Sequence, residues 1–95
     1  SKRQILARVL RNLKGIYRET QKPERMLEVL NRMLVVSPEA SAELRDRGYV
    51  YERLECWRPA LRDLSDYVGR EPDAPDVQEV RVKLMELSER CARLN

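Results

Sequence analysis

The strongest constraint on this chain is an internal repeat. Shifted by 34 residues, the sequence lays Tyr51 on Tyr17, Pro72 on Pro38, Leu61 on Leu27, Leu64 on Leu30 and Leu44 on Leu10. A period of that length suits one helix–turn–helix unit, which cannot bury its apolar face alone and stacks on its neighbour. The stretch from Ser41 to Pro72 carries the fuller pattern, with Leu44, Gly48, Tyr51, Leu54, Trp57, Ala60 and Leu64. The stretch before it keeps Tyr17, Pro38 and the leucines. Two hairpins are therefore expected, over 7–40 and 41–74, with a capping helix over 75–94, together one domain spanning 1–95.

Apolar spacing places the helices. Leu6, Val9, Leu10, Leu13, Ile16 and Tyr17 recur at three- and four-residue steps and predict an amphipathic helix from Arg3 to about Thr20. Pro23, which needs no backbone donor in a first turn, opens the second helix, marked by Met26, Leu27, Leu30, Met33 and Leu34 and ending near Val36. Ser37-Pro38-Glu39 reads as the start of a third helix, with a hydroxyl cap and a proline just inside. That helix is expected to run to about Arg53, with Glu55-Cys56-Trp57 in the following turn. Pro59 then falls in the first turn of a fourth helix whose inner face is Ala60, Leu61, Leu64 and Val68. Asp73 or Ala74 would cap the fifth helix and Pro75 would open it.

In the fifth helix Val77, Val80, Leu84, Leu87, Cys91 and Leu94 form an apolar seam with Met85 beside it. Such a seam covers the open end of a helical stack, or serves as a dimer contact. Gly48 lets two helices approach closely, so Gly48→Leu is expected to disrupt their crossing. The sequence departs from the repeat at Arg47, where a large apolar residue is expected, and at Lys14, which stands where the second unit has glycine. Overall the pattern predicts an all-α, tetratricopeptide-like, right-handed helical stack of five helices.

Charge is distributed unevenly. The net charge is +3, yet residues 1–22 alone carry +6, residues 23–70 carry −1 and residues 71–95 carry −2. Nucleic acid is not the expected partner, because only the first helix is basic and no aromatic side chains interleave a basic stripe. There is no membrane-length apolar run and no short apolar leader, so a soluble, cytoplasmic protein is expected. Two cysteines, Cys56 and Cys91, in no metal-ligand spacing are expected to remain free thiols. The chain starts without Met inside a helical pattern, which suggests a piece of a longer protein.

Little in the chain points to catalysis. It contains no histidine, so imidazole acid–base chemistry, histidine triads and histidine metal sites are excluded. Asp63 and Asp66 are expected on an outward helix face, where water keeps carboxylates ordinary, and Cys56 has no base to activate it. No phosphate-cradling glycine loop occurs, and no cofactor or metal is expected. What remains is surface. In stacked helical pairs the first helix of each unit lines the concave side, which here would carry Arg8, Arg11, Arg18, Arg45, Tyr49, Glu52 and Lys83. This basic floor with one aromatic suits capture of an acidic or extended peptide by arginine forks, with Tyr49 as an anchor. The plainer alternative is a solvated charged face. Charge reversal at Arg11 and Arg45 is expected to separate the two by abolishing partner capture without loss of helicity.

Three motifs together, Leu10-Arg11-Asn12-Leu13-Lys14-Gly15-Ile16-Tyr17, Leu44-Arg45-Asp46-Arg47-Gly48 and Pro72-Asp73-Ala74-Pro75-Asp76, resemble one bacterial group over nearly the whole chain. They look like the C-terminal tetratricopeptide segment of transglutaminase-like proteins of the Sir-B invasion-regulator type. The resemblance implies a non-enzymatic helper domain that docks on the N-terminal domain of its own chain or on another protein. With the groove and the helix-five seam, the expected partner is a protein or peptide and the expected state a monomer or weak dimer. The resemblance also implies that a Cys-His-Asp-type catalytic site would lie upstream. The alternative it leaves open is a purely structural domain that stabilises that catalytic domain through Asn12, Lys14 and Arg47. The peptide-carboxylate clamp of some tetratricopeptide domains is not matched, since Gly15 and Tyr49 stand where its asparagines would be.

Overall fold

Five helices follow one another through short turns: α1 (Lys2–Glu19), α2 (Pro23–Val36), α3 (Ser41–Arg53), α4 (Trp57–Arg70) and α5 (Val77–Arg93). The computed structural model describes residues 1–94; Asn95, the end of the expected domain, lies outside the described residues. Each helix packs on the next, and α3 with α4 makes the most intimate pair. The main apolar core lies between α3, α4 and α5, built on Leu44, Ala60, Leu64, Tyr67, Val80 and Leu87. A second cluster, Met26, Leu30 and Val50, joins α2 to α3. Together they form an all-α tetratricopeptide-like stack, with no strand among the described residues.

The 34-residue shift of the sequence reappears in the coordinates. Tyr17 packs on the cluster of Met26 and Leu30, and Tyr51 on the cluster holding their counterparts Ala60 and Leu64. Both hairpin turns use the same helix stop. Gln21 (φ 52°) and its counterpart Glu55 (φ 59°) are the two left-handed residues outside glycine among the described residues. The next N–H groups, of Lys22 and Cys56, donate back to the carbonyls of Tyr17 at 3.1 Å and Tyr51 at 2.8 Å. This is the Schellman closure, built without its usual glycine. The turns between units match as well, the Ala40 N–H donating to the Ser37 carbonyl and the Ala74 N–H to the Glu71 carbonyl.

These turns correct three sequence expectations. Ser37-Pro38 does not open the third helix: Pro38 takes the second position of a four-residue turn, where its fixed φ fits, and α3 starts at Ser41 with Ala40 before it. Trp57 is not in the turn but is the first residue of α4, because the left-handed residue at Glu55 has already reversed the chain. Its ring is covered by the Arg90 guanidinium of α5, 4.5 Å from the ring centre. Finally, α5 opens at Val77 instead of Pro75, with Asp76 at the capping position. Val77, Val80 and Leu87 of the seam are buried, whereas Leu94 and Met85 are exposed.

The contact at Gly48 has the form expected. A methyl group there would lie 2.7 Å from both Cγ and Cδ2 of Leu64, and 3.3 Å from Cβ of Asp63, so only hydrogen fits without displacement. The departure at Arg47 also finds its reason, and with it a correction. Asp63 does not face water: it is 4% exposed and receives both Nε and Nη2 of Arg47, at 2.7 and 2.9 Å. The counterparts one period earlier are Leu13 and the buried Val29. An apolar pair of positions in the first unit has thus become a bidentate ion pair in the second. Nη1 of Arg47 also donates to Asn31 Oδ1 at 3.1 Å, so one side chain ties α2, α3 and α4 together.

Candidate functional site

The inner face is made by α1, α3 and α5, which are bridged by long side chains. Lys14 of α1 reaches α3, its ammonium 2.6 Å from Asp46 and 3.4 Å from Glu43. Only 12% of that side chain is exposed. Lys83 of α5 reaches back to Glu52 of α3 at 2.7 Å and is steadied by Glu86 at 2.9 Å. Arg45 donates to Asp46 through Nε and Nη2 at 3.1 and 2.9 Å, and to Asp76 through Nη1 at 3.1 Å. The Tyr67 hydroxyl donates to the other Asp76 oxygen at 2.6 Å, and Arg45 lies 5.7 Å from the centre of the Tyr67 ring. The inner face is therefore strutted by charge.

These struts fix the ionisation of their members. The hydrogen bond from Tyr67, followed by those of Arg45, holds the Asp76 carboxyl below its ordinary range; the same Asp76 contact, with burial, raises the Tyr67 phenol. Glu52 and Glu86 raise Lys83. Burial opposes the charge on Arg45, but hydrogen bonds and the field of Asp46, helped by Tyr67 and Asp76, outweigh it and keep the guanidinium charged. Burial, reinforced by Glu79 and Asp76, raises the Tyr49 phenol, which stays protonated at neutral pH.

Between α1 and α3, above the start of α2, lies a cleft of about 190 Å³. Its apolar floor is Met26, Leu30 and Val50, and its walls include Tyr17 and Tyr49. Arg18, Lys22 and Arg53, all exposed, stand around its mouth. Asp46, the carboxylate of the lining, already receives Lys14 and Arg45, with Arg18 only at 4.0 Å. The cleft thus combines room for an apolar side chain with an excess of accessible positive charge. It can accept an extended segment that places an apolar group on the floor and carboxylates at the mouth.

The residues singled out from sequence divide into three groups. Arg18 and Tyr49 line this cleft. Arg8 and Arg11 lie farther along α1, exposed and without an ion-pair partner among the described residues; Arg11 also edges a smaller cavity of about 130 Å³ with Met33, Val36 and Ala40. Arg45, Glu52 and Lys83 are committed to internal struts, so reversing Arg45 would test the scaffold before it tested a partner. Sequence reasoning missed Lys22 and Arg53. The signal for Arg53 was its place four residues after Tyr49 on one helix face; Lys22 gave none, because the Schellman turn that positions it uses Gln21 in place of glycine. Among the described residues, no group of three or more His, Cys, Asp or Glu is arranged to hold a metal. No helix is long and apolar enough to cross a membrane.

A stack of helical hairpins with a cleft lined by the first helix of each unit defines a helical-repeat protein of the interaction type. The chain belongs to the tetratricopeptide repeat family, which matches residues 13–85. It is similar to a UPF0162 protein of Xylella fastidiosa, 38% identical over 90% of this chain and 31% of that protein. Similarity extends to the protein SirB1 of Salmonella typhimurium, 35% identical over 85% of this chain and 30% of the relative. The UPF0162 protein YchA of Escherichia coli is 32% identical over 85% of this chain and 30% of its own length. The chain thus spans about a third of the curated relatives it matches. No solved structure matches it significantly.

Proposed function

We propose that this chain is a non-catalytic interaction module that captures an acidic, extended segment of a protein in the cleft between α1 and α3. One observation carries the proposal: Arg18, Lys22 and Arg53 surround an apolar floor whose neighbouring carboxylate is already neutralised by Lys14 and Arg45. The ligand is a peptide with one large apolar side chain followed within two or three residues by Asp or Glu. The module works in the cytoplasm, as a monomer or weak dimer. Selection from a random displayed-peptide library tests this directly. Enriched peptides are expected to share an apolar-then-acidic pattern, and Arg18→Glu with Arg53→Glu is expected to weaken their binding at least tenfold without altering the helical circular dichroism. Enrichment of basic or uncharged peptides, or unchanged binding by the double variant, would refute the site.

A second proposal accounts for the resemblance of the three motifs to transglutaminase-like regulators. Here the segment serves an attached transglutaminase-like domain, where any catalytic residues would reside. The limited share of the relatives that this chain covers favours it, because much of those proteins lies beyond the matched part. Sequencing and assaying the complete polypeptide decides between a catalytic partner domain and none.

A further inference from the structure

The first helix carries an apolar surface that nothing in the stack covers. Ile5, Val9 and Ile16 are 55%, 47% and 52% exposed, and Leu6 beside them 46%. At about 100° per residue the first three lie within roughly 40° of one another, on the side of α1 turned away from Lys14. Lys14 reaches α3, so the stripe faces outward from the end of the stack opposite α5. A preceding hairpin, or another folded surface, would pack at this position in a longer stack. The α5 end is different: there the exposed apolar surface is a two-residue patch, Val82 and Met85, set among Gln78, Glu86 and Glu89.

We infer that this stripe is the seat of an interface with the remaining part of a longer polypeptide, through an apolar surface rimmed by acidic residues. Two observations select that occupant. The relatives are about three times as long as this chain, so proteins of this kind carry further polypeptide beyond the matched part. The stripe is also bordered by Lys2 on one side and Arg8 on the other, with the carboxylate of Glu19 only at its far end, beside Ile16. A second copy of the chain would bring like charges together there, whereas carboxylates on a different surface would complement them. The site is separate from the cleft between α1 and α3, so either can fail without the other.

The test mixes this chain with the separately expressed remainder of its polypeptide and follows binding by calorimetry. Binding is expected, with at least a tenfold loss for the double variant Ile5→Asp, Val9→Asp and little change for Arg18→Glu, Arg53→Glu. Radical footprinting of the unmutated pair supplies a readout independent of variant folding. Labelling of Ile5, Val9 and Ile16 should fall threefold or more, while exposed Val35 and Met85 are unchanged. The inference is overturned by a gene encoding nothing beyond this chain, by absent binding, or by unprotected stripe residues. A dimer of the isolated chain that the Asp variants dissolve would overturn it too, by making a second copy the occupant.

Discussion

Arg47 and Asp63 show how one pair of residues is free to differ between two copies of the same hairpin. A carboxylate as buried as Asp63 is tolerated because Arg47 meets both its oxygens and the remaining guanidinium nitrogen finds Asn31. Desolvation cancels much of the attraction in such a pair, so its net worth is small while the cost of breaking it is large. Asp63→Leu should therefore destabilise the chain by about 3 to 5 kcal/mol, leaving the Arg47 charge half-buried and without its carboxylate. The combined change Arg47→Leu, Asp63→Val restores the residue types of the first unit and should return stability to within about 1 kcal/mol of the parent, or above it. Urea unfolding of the three proteins measures both effects. From sequence, Arg47 looked like a lapse in the repeat and Asp63 like a surface acid. Neither position reveals the other until α3 and α4 are brought together, because 16 residues separate them.

At the scale of elements, the helix stops decide where each hairpin turns. Gln21 and Glu55 hold a left-handed backbone that costs an L side chain about 1 to 2 kcal/mol, relieved by glycine at some entropic expense. Glu55→Gly should accordingly raise stability by about 0.5 to 1 kcal/mol, seen as a higher urea midpoint at unchanged slope. The start of α5 gives a pH prediction. Asp76, held below its ordinary value of 3.8 chiefly by the Tyr67 hydroxyl, contributes stability that is present above that value and lost as pH falls through the depressed one. Tyr67, raised above its ordinary 10.0, contributes stability that is complete below that value and lost as pH rises past it. Asp76→Asn should flatten the acid limb of a stability–pH profile measured by thermal melts. Helix existence was legible from apolar spacing throughout, but the starts of α3, α4 and α5 were not. Proline is equally at home in a first turn and in the turn before it, and the local sequence at Pro38 and Pro75 does not distinguish the two.

For the whole molecule, the stack is held by consecutive packing of neighbouring helices and by ion pairs strung across its inner face. Removing α5 should be decisive, because it takes away the buried Val77, Val80 and Leu87 and uncovers Leu64 and Tyr67. Each such side chain contributes about 1.5 to 3 kcal/mol, against a total of about 5 to 15 for a domain of ordinary stability. A chain ending at Asp76 is expected to lose cooperative urea unfolding by circular dichroism; retention of a sharp transition would show that the first four helices suffice. The sequence alone determined the period, the helical content and the place of Gly48, since these follow from spacing and side-chain volume within one unit. Only the tertiary structure decided which of the inner-face charges are free. Arg45 and Lys83 carry the same formal charge in the sequence as Arg8 and Arg11, but whether a cation meets a carboxylate, as Lys83 meets Glu52, or water depends on the few ångströms between neighbouring helices.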